Sequence, residues 1–367
     1  MLNRSTDGAA GSPEHIEKLH FIGVQFGQAT TVNLRDIGEF GFIKKISQGC
    51  LIRPQNIIKA IGDDAAAFIP TPHEVILVTT DLLVEGIHFF RNATSGFNLG
   101  YKALSVNLSD IAAMGGIARE AFISIAVPDN CSLDFIEDLY NGMKRLAAKF
   151  GLNILGGDTT RSKTDLIVNI SVLGSAFEKE ILYRHTAQQG DIICSTGFLG
   201  DSRAGLYLIT NNIKVDSNEL KALHDAHTIP KPYLREGRFL ARQGGVHAMI
   251  DVSDGLSSDI GHIAEESNVG IHLYSKKIPI SNNLEKFCAR FDFDPVEYAL
   301  TGGEDYTLLC TISPDRVNYI AANYLRRFRN PLYQIGKITD SGKMELFLSN
   351  GQIRSFTPSG WDHFKTE

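Results

Sequence analysis

The first half of the chain combines two spacings of apolar residues, one typical of strands and one typical of helices. Short apolar runs bounded by turn residues predict strands, and apolar residues three or four positions apart predict helices. The elements predicted in this half are helices over 37–46, 100–114 and 133–150 and strands over 74–80, 121–127 and 166–174. Pro128 ends the second of these strands, since proline cannot donate to a continuing ladder.

The same spacings continue from about Arg184 onward, in a different order. The predicted strands are 191–196, 248–251, 306–312 and 334–338, and the predicted helices are 200–210, 231–242 and 256–266. Neither half alternates strands and helices regularly, which favours an α+β fold of two α/β-mixed domains over one doubly wound sheet. We expect a flexible N-terminal extension over 1–33, an N-terminal domain over 34–178 and a C-terminal domain over 179–367.

Composition and charge narrow the class of protein. The 367 residues include 36 Lys+Arg and 42 Asp+Glu, a net charge of −6, which argues against a nucleic-acid partner bound by a broad basic surface. No apolar stretch is long enough to span a membrane, and the first residues lack the apolar core of a secretory signal. The five cysteines are scattered without a CxxC motif, so neither a zinc site nor a disulfide framework is predicted. We therefore expect a cytoplasmic protein.

Acidic residues concentrate in short motifs that the predicted elements place near strand and helix ends. The motifs are GDD at 62–64, TTD at 79–81, Asn107 with Asp110, GGDTT at 156–160, DVSDG at 251–255 and GGED at 302–305. Asn107 and Asp110 are three residues apart and share one face of their helix. Each motif alone also fits a turn, a helix cap or a solvated helix face. Together they predict a site, because active sites are commonly built where strands end.

The chemistry of this site follows from its ligand atoms. Sets of oxygen ligands suit Mg²⁺ or Ca²⁺ rather than zinc or copper. Carboxylates that face one cleft repel one another unless cations neutralise them. Mg²⁺ commonly bridges carboxylates to substrate phosphates, so the motifs indicate nucleotide chemistry with several Mg²⁺ ions.

The common phosphate-binding signatures GxxxxGK[ST] and GxGxxG do not occur, and neither do the protein-kinase motifs HRD and DFG. The remaining candidate is the glycine-rich segment TGFLGDSRAG at 196–205, which joins a predicted strand to a predicted helix. Its backbone amides suit an anion at the helix N-terminus. A tight turn with a close helix contact explains the same glycines equally well.

Taken in order, the motifs resemble those of one enzyme family. The series IGDDAAAF, TTDLLVEGIHFF, YKALSVNLSDIAAMGG, LGGDTT, GDSRAGL, DVSDGLSSD and LTGGEDYTLL resembles the thiamine-monophosphate kinase family, within the aminoimidazole-ribonucleotide-synthetase superfamily of ATP-using enzymes. The match runs from about Gly38 to the GWDHF segment at 360–364. Any one motif is weak evidence, but the full series in this order is highly specific.

The resemblance implies an activity and an assembly. A member of this family transfers the γ-phosphoryl group of ATP directly to thiamine phosphate. The product is thiamine diphosphate, so the reaction is a step of thiamine diphosphate biosynthesis. The family resemblance also implies a homodimer whose N-terminal domains pair their sheets into a barrel-like core. Nucleotide and Mg²⁺ would lie in a cleft between that core and the C-terminal domain, which completes the active site.

The resemblance also assigns roles to individual residues. Metal ligands fall on Asp64, Thr79, Thr80, Asp81, Asp110, Asp158, Asp251 and Asp254. The catalytic residues among them are Asp81, Asp110 and Asp254. Nucleotide contacts fall on Tyr140, Gly157, Asp158, Arg184 and Ser253. Thiamine-phosphate contacts fall on His88, Glu304 and Trp361.

Several of these assignments have structural alternatives. Arg184 suits a bidentate phosphate contact but also a surface position. Trp361, the only tryptophan, offers a ring face to the cationic thiazolium or closes the core at the chain end. A lone histidine among apolar neighbours, as at His88, is more often structural, and Glu304 also fits an acidic turn residue.

The implied reaction fits the residues chemically. The acceptor is a phosphate oxygen that is already deprotonated near neutral pH, so no general base is needed. Catalysis then rests on positioning and on neutralising charge between two anionic substrates. The alternatives are another ATP-using enzyme of the superfamily, such as aminoimidazole ribonucleotide synthetase, and a non-catalytic nucleotide-binding relative. The GGEDY and GWDHF segments favour the kinase, and the intact acid set argues against a non-catalytic protein.

Overall fold

A computed structural model describes residues 57–59, 62–63, 66–71 and 74–360. The helix predicted over 37–46, the candidate metal ligand Asp64 and the candidate substrate residue Trp361 lie outside the described residues. Within the described part, the chain forms two mixed domains, each with its own sheet and helices, which confirms the α+β prediction.

The N-terminal domain is built on a six-stranded sheet. Its strands are β1 (Ile57–Lys59), β2 (Ala66–Thr71), β3 (Glu74–Val84), β4 (Ile117–Pro128), β5 (Asn153–Ser162) and β6 (Ile167–Phe177), and its helices are α1 (Gly96–Ala113) and α2 (Leu133–Phe150). The spatial order is β1-β2-β3-β6-β4-β5, antiparallel throughout except for the parallel pair β4–β5.

The two helices of this domain differ in pattern because they differ in burial. Helix α1 packs against β3, β6 and β4 and is buried on almost every side. Helix α2 lies over α1 and buries only one stripe, centred on Leu139, Met143 and Leu146. The helices pack closely at Gly100, where a side chain would collide with the backbone of Leu139. This packing holds α1 firmly between α2 and the sheet.

The C-terminal domain carries a seven-stranded sheet and seven α-helices among its described residues. Its strands are β7 (Ile192–Ser195), β8 (Val246–Asp251), β9 (Gly270–Tyr274), β10 (Leu308–Ile312), β11 (Tyr333–Thr339), β12 (Met344–Phe347) and β13 (Ile353–Ser355). Its helices are α3 (Asp201–Thr210), α4 (Asn218–Thr228), α5 (Leu234–Ala241), α6 (Leu256–Ser267), α7 (Asn282–Phe291), α8 (Pro295–Thr301) and α9 (Val317–Phe328). The spatial order is β13-β12-β9-β11-β7-β10-β8, with β12–β9 as the parallel pair.

The two domains share a continuous apolar core. One buried cluster joins Leu104 on α1 and Ile170 on β6 to Met249 on β8 and Tyr324 on α9. Helix α5 also packs against α1 across the boundary. The domains are therefore held together along their length, and α1 lies between both sheets.

Two acidic motifs lie inside strands, where the sequence analysis had placed them at strand ends. The segment 79–81 does not end β3, which continues to Val84. Residues 156–160 do not follow a strand but form the middle of β5. Both errors have one cause: polar residues interrupt the apolar pattern, although the backbone remains paired. Strand β3 continues to pair with β6, and β5 pairs with β4.

One face of the N-terminal sheet is uncovered in the single chain. Its exposed apolar residues include Leu82, Phe122 and Leu155, which are 53%, 39% and 59% exposed. Almost every residue of the edge strand β5 is exposed as well. Among the described helices, none combines the length and the apolar character that a membrane span requires.

Candidate active site

The site begins at the C-terminal end of α1, where two polar side chains bridge to different strands. The hydroxyl of Thr79 on β3 donates to Asp110, and the hydroxyl of Ser109 donates to Asp251 on β8 at 2.6 Å. Thr79 and Ser109 are buried, and Asp251 is only 2% exposed. Helix α1 therefore joins an acid of the N-terminal domain to an acid of the C-terminal domain.

Strand alternation decides which of the TTD residues enter this site. Successive side chains of a strand point to opposite faces, so Thr79 and Asp81 face α1 while Thr80 faces the uncovered side of the sheet. There the hydroxyl of Thr80 accepts hydrogen bonds from Asn169 at 3.1 Å and from Ser171 at 3.0 Å. The side chain of Thr80 thus points away from the acids, and its assignment as a metal ligand stays a prediction.

The acids in the site perturb one another. Burial, reinforced by the carboxylates of Asp81 and Asp254, raises the pKa of Asp251 to about 6. The hydrogen bond from Ser109 and the charge of Arg184 oppose this shift and keep the pKa from rising further. Burial disfavours the charged form of any carboxylate, and neighbouring carboxylates disfavour it further.

The N-terminal end of α6 holds a second group of candidate metal ligands. The carboxylate of Asp259 accepts hydrogen bonds from the backbone amides of Asp254 at 3.2 Å and Gly255 at 3.0 Å. Burial, with the charges of Asp254 and Asp251, raises the pKa of Asp259 well above its usual value. Potential ligand atoms of Asp254, Asp259 and His262 lie within 4.8 Å of one another, a spacing that can hold a metal ion. The sequence analysis did not single out Asp259 or His262, although Asp259 ends the DVSDGLSSD motif.

Arg184 provides the cation nearest to these acids. It opens a short 3₁₀ helix, and its guanidinium lies 3.5 Å from Asp63. Its charge lowers the pKa of Asp251 and, together with burial, helps to lower the pKa of His262 to about 4. A fixed cation beside a group of carboxylates suits a phosphate that approaches the same place.

The GGED segment is attached to the DVSDG segment by backbone hydrogen bonds. The amide of Glu304 donates to the carbonyl of Ser253 at 2.7 Å, and the amide of Tyr306 donates to the carbonyl of Val252 at 2.8 Å. Glu304 and Tyr306 both have positive φ angles, +62° and +51°, which are uncommon for residues with side chains. Backbone strain of this kind persists where the surroundings impose it, and it is concentrated at functional sites.

The side chain of Glu304 belongs to a buried network that the sequence analysis missed. Lys102 on α1 donates to Glu304 at 2.9 Å and lies 3.3 Å from Nε2 of His227 on α4. Nδ1 of His227 lies 3.1 Å from the hydroxyl of Ser202. Burial, with the charge of Lys102, lowers the pKa of His227 to about 3, so this histidine is neutral near pH 7. Although burial opposes it, Lys102 holds the pKa of Glu304 below its usual value.

His88 lies next to this network. The backbone amide of Val84 donates to its Nδ1 at 3.0 Å, so Nδ1 is an acceptor in the turn that follows β3. A pocket with an apolar wall is lined by His88, Lys102, His227, Phe90 and Leu206. Of the three residues assigned to the substrate, His88 lines this pocket. Glu304 does not line it, but it contacts two residues that do, Lys102 and His227.

In the glycine-rich segment 196–205, two amides at the start of α3 bind a carboxylate of the protein itself. The buried carboxylate of Asp305 accepts hydrogen bonds from the amides of Gly200 at 2.6 Å and Ser202 at 3.1 Å, at the start of α3. Burial raises the pKa of Asp305 to about 8, because the two amides compensate its charge only in part. At Gly200 and Ser202, these contacts favour the tight turn with a close contact.

Comparison with known protein families and structures agrees with this architecture. Residues 62–176 match the model of AIR synthase related protein, N-terminal domain, and residues 188–349 match that of AIR synthase related protein, C-terminal domain. The thiamine-monophosphate kinase of Aquifex aeolicus is 34% identical over 334 residues, which cover 91% of this chain and 100% of the relative. The thiamine-monophosphate kinase of Bacillus subtilis is 34% identical over 334 residues, which cover 89% and 99%.

The chain belongs to the thiamine-monophosphate kinase family. It is therefore a phosphotransferase, which confirms the enzyme class predicted from the sequence. A solved structure described as "AaThiL complexed with AMPPCP and TMP" superposes with a TM-score of 0.80 at 32% identity, covering 91% of this chain and 100% of that one.

Three residues assigned to metal or nucleotide in this kinase family lie apart from the acids just described. Asp158 is exposed on β5, three strands from β3, which at about 4.8 Å per strand is about 14 Å. Gly157 packs so tightly on β4 that a side chain would collide with the backbone of Ile123. Tyr140 lies on α2 with its ring against the N-terminal core. Their assignments stay predictions.

The last described residues of this kinase-family chain reach the acids. Gly360 packs against Asp254 so closely that a side chain would collide with the Asp254 carbonyl. The amide of Ser359 donates to the hydroxyl of Ser257 at 3.3 Å, at the start of α6. The segment that precedes Trp361 therefore docks on the same helix terminus that presents Asp254.

Proposed function

We propose that this enzyme transfers the γ-phosphoryl group of ATP to thiamine phosphate, producing thiamine diphosphate and ADP. The observation that carries the proposal is the set of acids that both domains bring together beside one arginine. Asp81 and Asp110 come from the N-terminal domain, and Asp251 and Asp254 come from the C-terminal domain. Membership of the kinase family supports the assignment, as does the relative's structure described with AMPPCP and TMP.

The donor atoms of this set fit Mg²⁺. The side chains are carboxylates and a hydroxyl, which are the oxygen ligands that Mg²⁺ prefers. Burial is the main cause of the raised pKa of Asp251; the carboxylates of Asp81 and Asp254 add to it, and the charge of Arg184 opposes it. We infer that Thr79, Asp81, Asp110, Asp251 and Asp254 hold the ions, with Asp64 assigned by the family resemblance. Bound Mg²⁺ would supply charge neutralisation between the two anionic substrates.

The remaining steps belong to the side chains of the protein. Arg184 contacts a phosphate of the nucleotide with its guanidinium, and Ser253 presents backbone groups beside it. Thr79 and Ser109 orient the carboxylates of Asp110 and Asp251 by hydrogen bonds. No side chain needs to remove a proton, because the acceptor oxygen of thiamine phosphate is ionised near neutral pH.

We infer from the family resemblance that the thiamine moiety lies near His88 and Glu304. The pocket that His88 lines has an apolar wall but a volume of about 30 Å³, below the usual range for small-molecule sites of about 300–1,000 Å³, so it must widen to admit this group. Glu304 contacts the lining residues Lys102 and His227, and its carboxylate supplies the negative charge for the cationic thiazolium. Lys102 fixes this carboxylate at 2.9 Å. Trp361 is assigned to the same substrate by the family resemblance, and the docking of Gly360 beside Asp254 supports that assignment.

We further propose that the enzyme is a homodimer. The uncovered face of the N-terminal sheet exposes Leu82, Phe122 and Leu155, and a contiguous apolar patch of this kind marks an interaction surface. Pairing the same face of two copies would bury these residues in a symmetric interface. Phe122→Glu should shift the protein toward monomers in sedimentation experiments, whereas an unchanged sedimentation coefficient would contradict this interface.

A coupled assay of ADP release tests the activity. With ATP and Mg²⁺ present, thiamine phosphate should support turnover, whereas free thiamine and formylglycinamidine ribonucleotide should not. Free thiamine offers an alcohol that needs a base, and it lacks the phosphate that the metal site holds. Turnover with formylglycinamidine ribonucleotide would indicate aminoimidazole ribonucleotide synthetase instead. If none of the three compounds supports ADP release, the result would favour a non-catalytic relative.

A further inference from the structure

A cavity outside the acidic site is lined by cations. It has a volume of about 490 Å³ and opens between α2, α5, α9 and the start of β4. The cationic lining residues are Lys149, Arg235, Arg238, Arg242 and Arg327. None of the lining residues is Asp or Glu. This concentration of positive charge departs from the chain as a whole, which carries a net charge of −6.

Neighbouring acids compensate only part of this charge. Glu180 lies 2.5 Å from Arg238 and 3.8 Å from Arg242, so one carboxylate serves two guanidinium groups. Within the described part of the chain, Lys149, Arg235 and Arg327 form no ion pair with a carboxylate. Partial burial, followed by repulsion from Lys231 and Arg235, lowers the pKa of Lys149. Within the described residues, the cavity therefore has more cations than carboxylates that pair with them.

The floor of the cavity is apolar. Ile117, Phe150, Leu234 and Phe239 line it between the charged side chains. Arg327 also lies over the ring of Phe239, 6.0 Å from its centroid. A volume of about 490 Å³ falls in the ordinary range for small-molecule sites, about 300–1,000 Å³. An inorganic anion would leave this floor unused, whereas an organic anion would cover it.

We propose that this cavity binds an aromatic organic phosphate at a site separate from the acidic cluster. Guanidinium groups bind phosphate through paired donors, and the phenylalanine rings offer a surface to an aromatic group. Nucleotides and thiamine diphosphate share this chemistry. The proposal does not depend on the reaction proposed above, because none of the lining residues belongs to the acidic site.

The cavity lies beside the helix that carries Asp110. Arg238 donates to the carbonyl of Gly115, just after α1, at 3.2 Å. Gly237 packs against Ala112 so closely that a side chain there would collide with its carbonyl. A ligand in the cavity therefore contacts α5 and the chain just after α1 directly.

Calorimetric titration of the full-length protein in EDTA tests the proposal. Without divalent cations the acidic cluster repels phosphates, so binding under these conditions reports on the cationic cavity. We expect ADP or thiamine diphosphate to bind with one site per chain, and inorganic pyrophosphate to bind at least tenfold more weakly. Raising the salt concentration should weaken this binding, because the cations lie at the protein surface. If only ADP binds, the cavity is a nucleotide site. If only thiamine diphosphate binds, it is a site for thiamine diphosphate.

Two matched double variants locate the binding. Lys149→Gln/Arg235→Gln removes two cations that line the cavity, and Lys144→Gln/Arg326→Gln removes two exposed cations from the neighbouring faces of α2 and α9. The first should lower affinity at least tenfold, and the second should leave it within twofold. Equal affinities in the two variants would overturn the proposal. So would the failure of both organic phosphates to bind, or equally tight binding of pyrophosphate.

Discussion

Two groups of ionisable side chains meet beside α1, and they handle their charge in opposite ways. Asp81, Asp110, Asp251 and Asp254 form a group of like charges, in which burial and mutual repulsion raise the pKa of Asp251 to about 6. Lys102, Glu304 and His227 form a group in which opposite charges and a neutral histidine satisfy one another. We propose that the first group binds cations, whereas in the second a cation of the protein, Lys102, contacts the carboxylate of Glu304. In the proposed function, the first group acts on phosphate and the second positions Glu304 for the thiamine moiety.

Removal of divalent metal should produce the largest effect, because the proposed function places Mg²⁺ ions on these acids. We expect EDTA to abolish ADP release and Mg²⁺ to restore it fully. Added Mg²⁺ should also raise the melting temperature, since a ligand that binds only the folded state stabilises it. Undiminished turnover in metal-free buffer would show that the acids do not act through bound ions.

Substitution of one acid should come next. Asp110→Asn keeps an oxygen that can accept the hydrogen bond from Thr79 but removes a charge. We expect kcat to fall by about 10²–10³, the usual cost of removing one group that stabilises transition-state charge. The melting temperature should stay the same or rise, because repulsion in the apo protein is relieved. The exposed Asp216→Asn is the control and should change neither quantity.

In the group of Lys102, Glu304 and His227, a substitution should lower the stability of the fold before it affects the reaction. Lys102→Met leaves the Glu304 carboxylate without its cation. Breaking a fully buried ion pair costs about 3–5 kcal/mol, and we expect less here because Glu304 is 27% exposed. Urea unfolding should show the loss, and Lys102→Met/Glu304→Gln should recover part of it. A control is Lys221→Met, whose partner Asp225 lies 2.6 Å away at the surface. Equal losses of stability in Lys102→Met and Lys221→Met would show that the buried ion pair contributes no more than an exposed one.

The smallest predicted effect concerns pH. The pKa of His227 is about 3 in the folded protein and near 6.5 when unfolded. Between these values the unfolded chain binds the extra proton, so stability falls as pH drops from 6.5 toward 3. His227→Gln should therefore flatten the decrease in melting temperature between pH 6.5 and 4, by several degrees. Parallel curves for the two proteins would show that this histidine does not titrate on unfolding.

Local patterns predicted those elements whose burial repeats regularly. Helix α2 was predicted over 133–150, as observed, because its apolar stripe is regular and Ser132 and Gly151 cap its two ends. Strand β5 was missed because almost all of its residues are exposed and no alternation marks it. The end of β3 was predicted too early because two polar residues, Thr79 and Asp81, face inward there. A prediction from apolar positions does not assign such residues to a buried strand face.

The acids of the site were predictable, but their partners were not. Motif order identified Asp81, Asp110, Asp251 and Asp254 as residues of one family site. In the sequence, Lys102 is one lysine in an apolar helix. Its partners lie 125 and 202 residues away along the chain, so the sequence does not identify them. Spacing along a sequence reveals neighbours on one element, whereas contacts between elements depend on the tertiary fold.

The same separation along the chain has a consequence for how the protein is made. Lys102 and Glu304 are 202 residues apart, so at about 5–20 residues per second a ribosome needs about 10–40 s to go from one to the other. During that interval the N-terminal sheet can form, but the lysine on α1 has no carboxylate to meet. The site is thus completed late in synthesis, and a chain that stops before Glu304 contains most of the fold of the first domain and none of this ion pair.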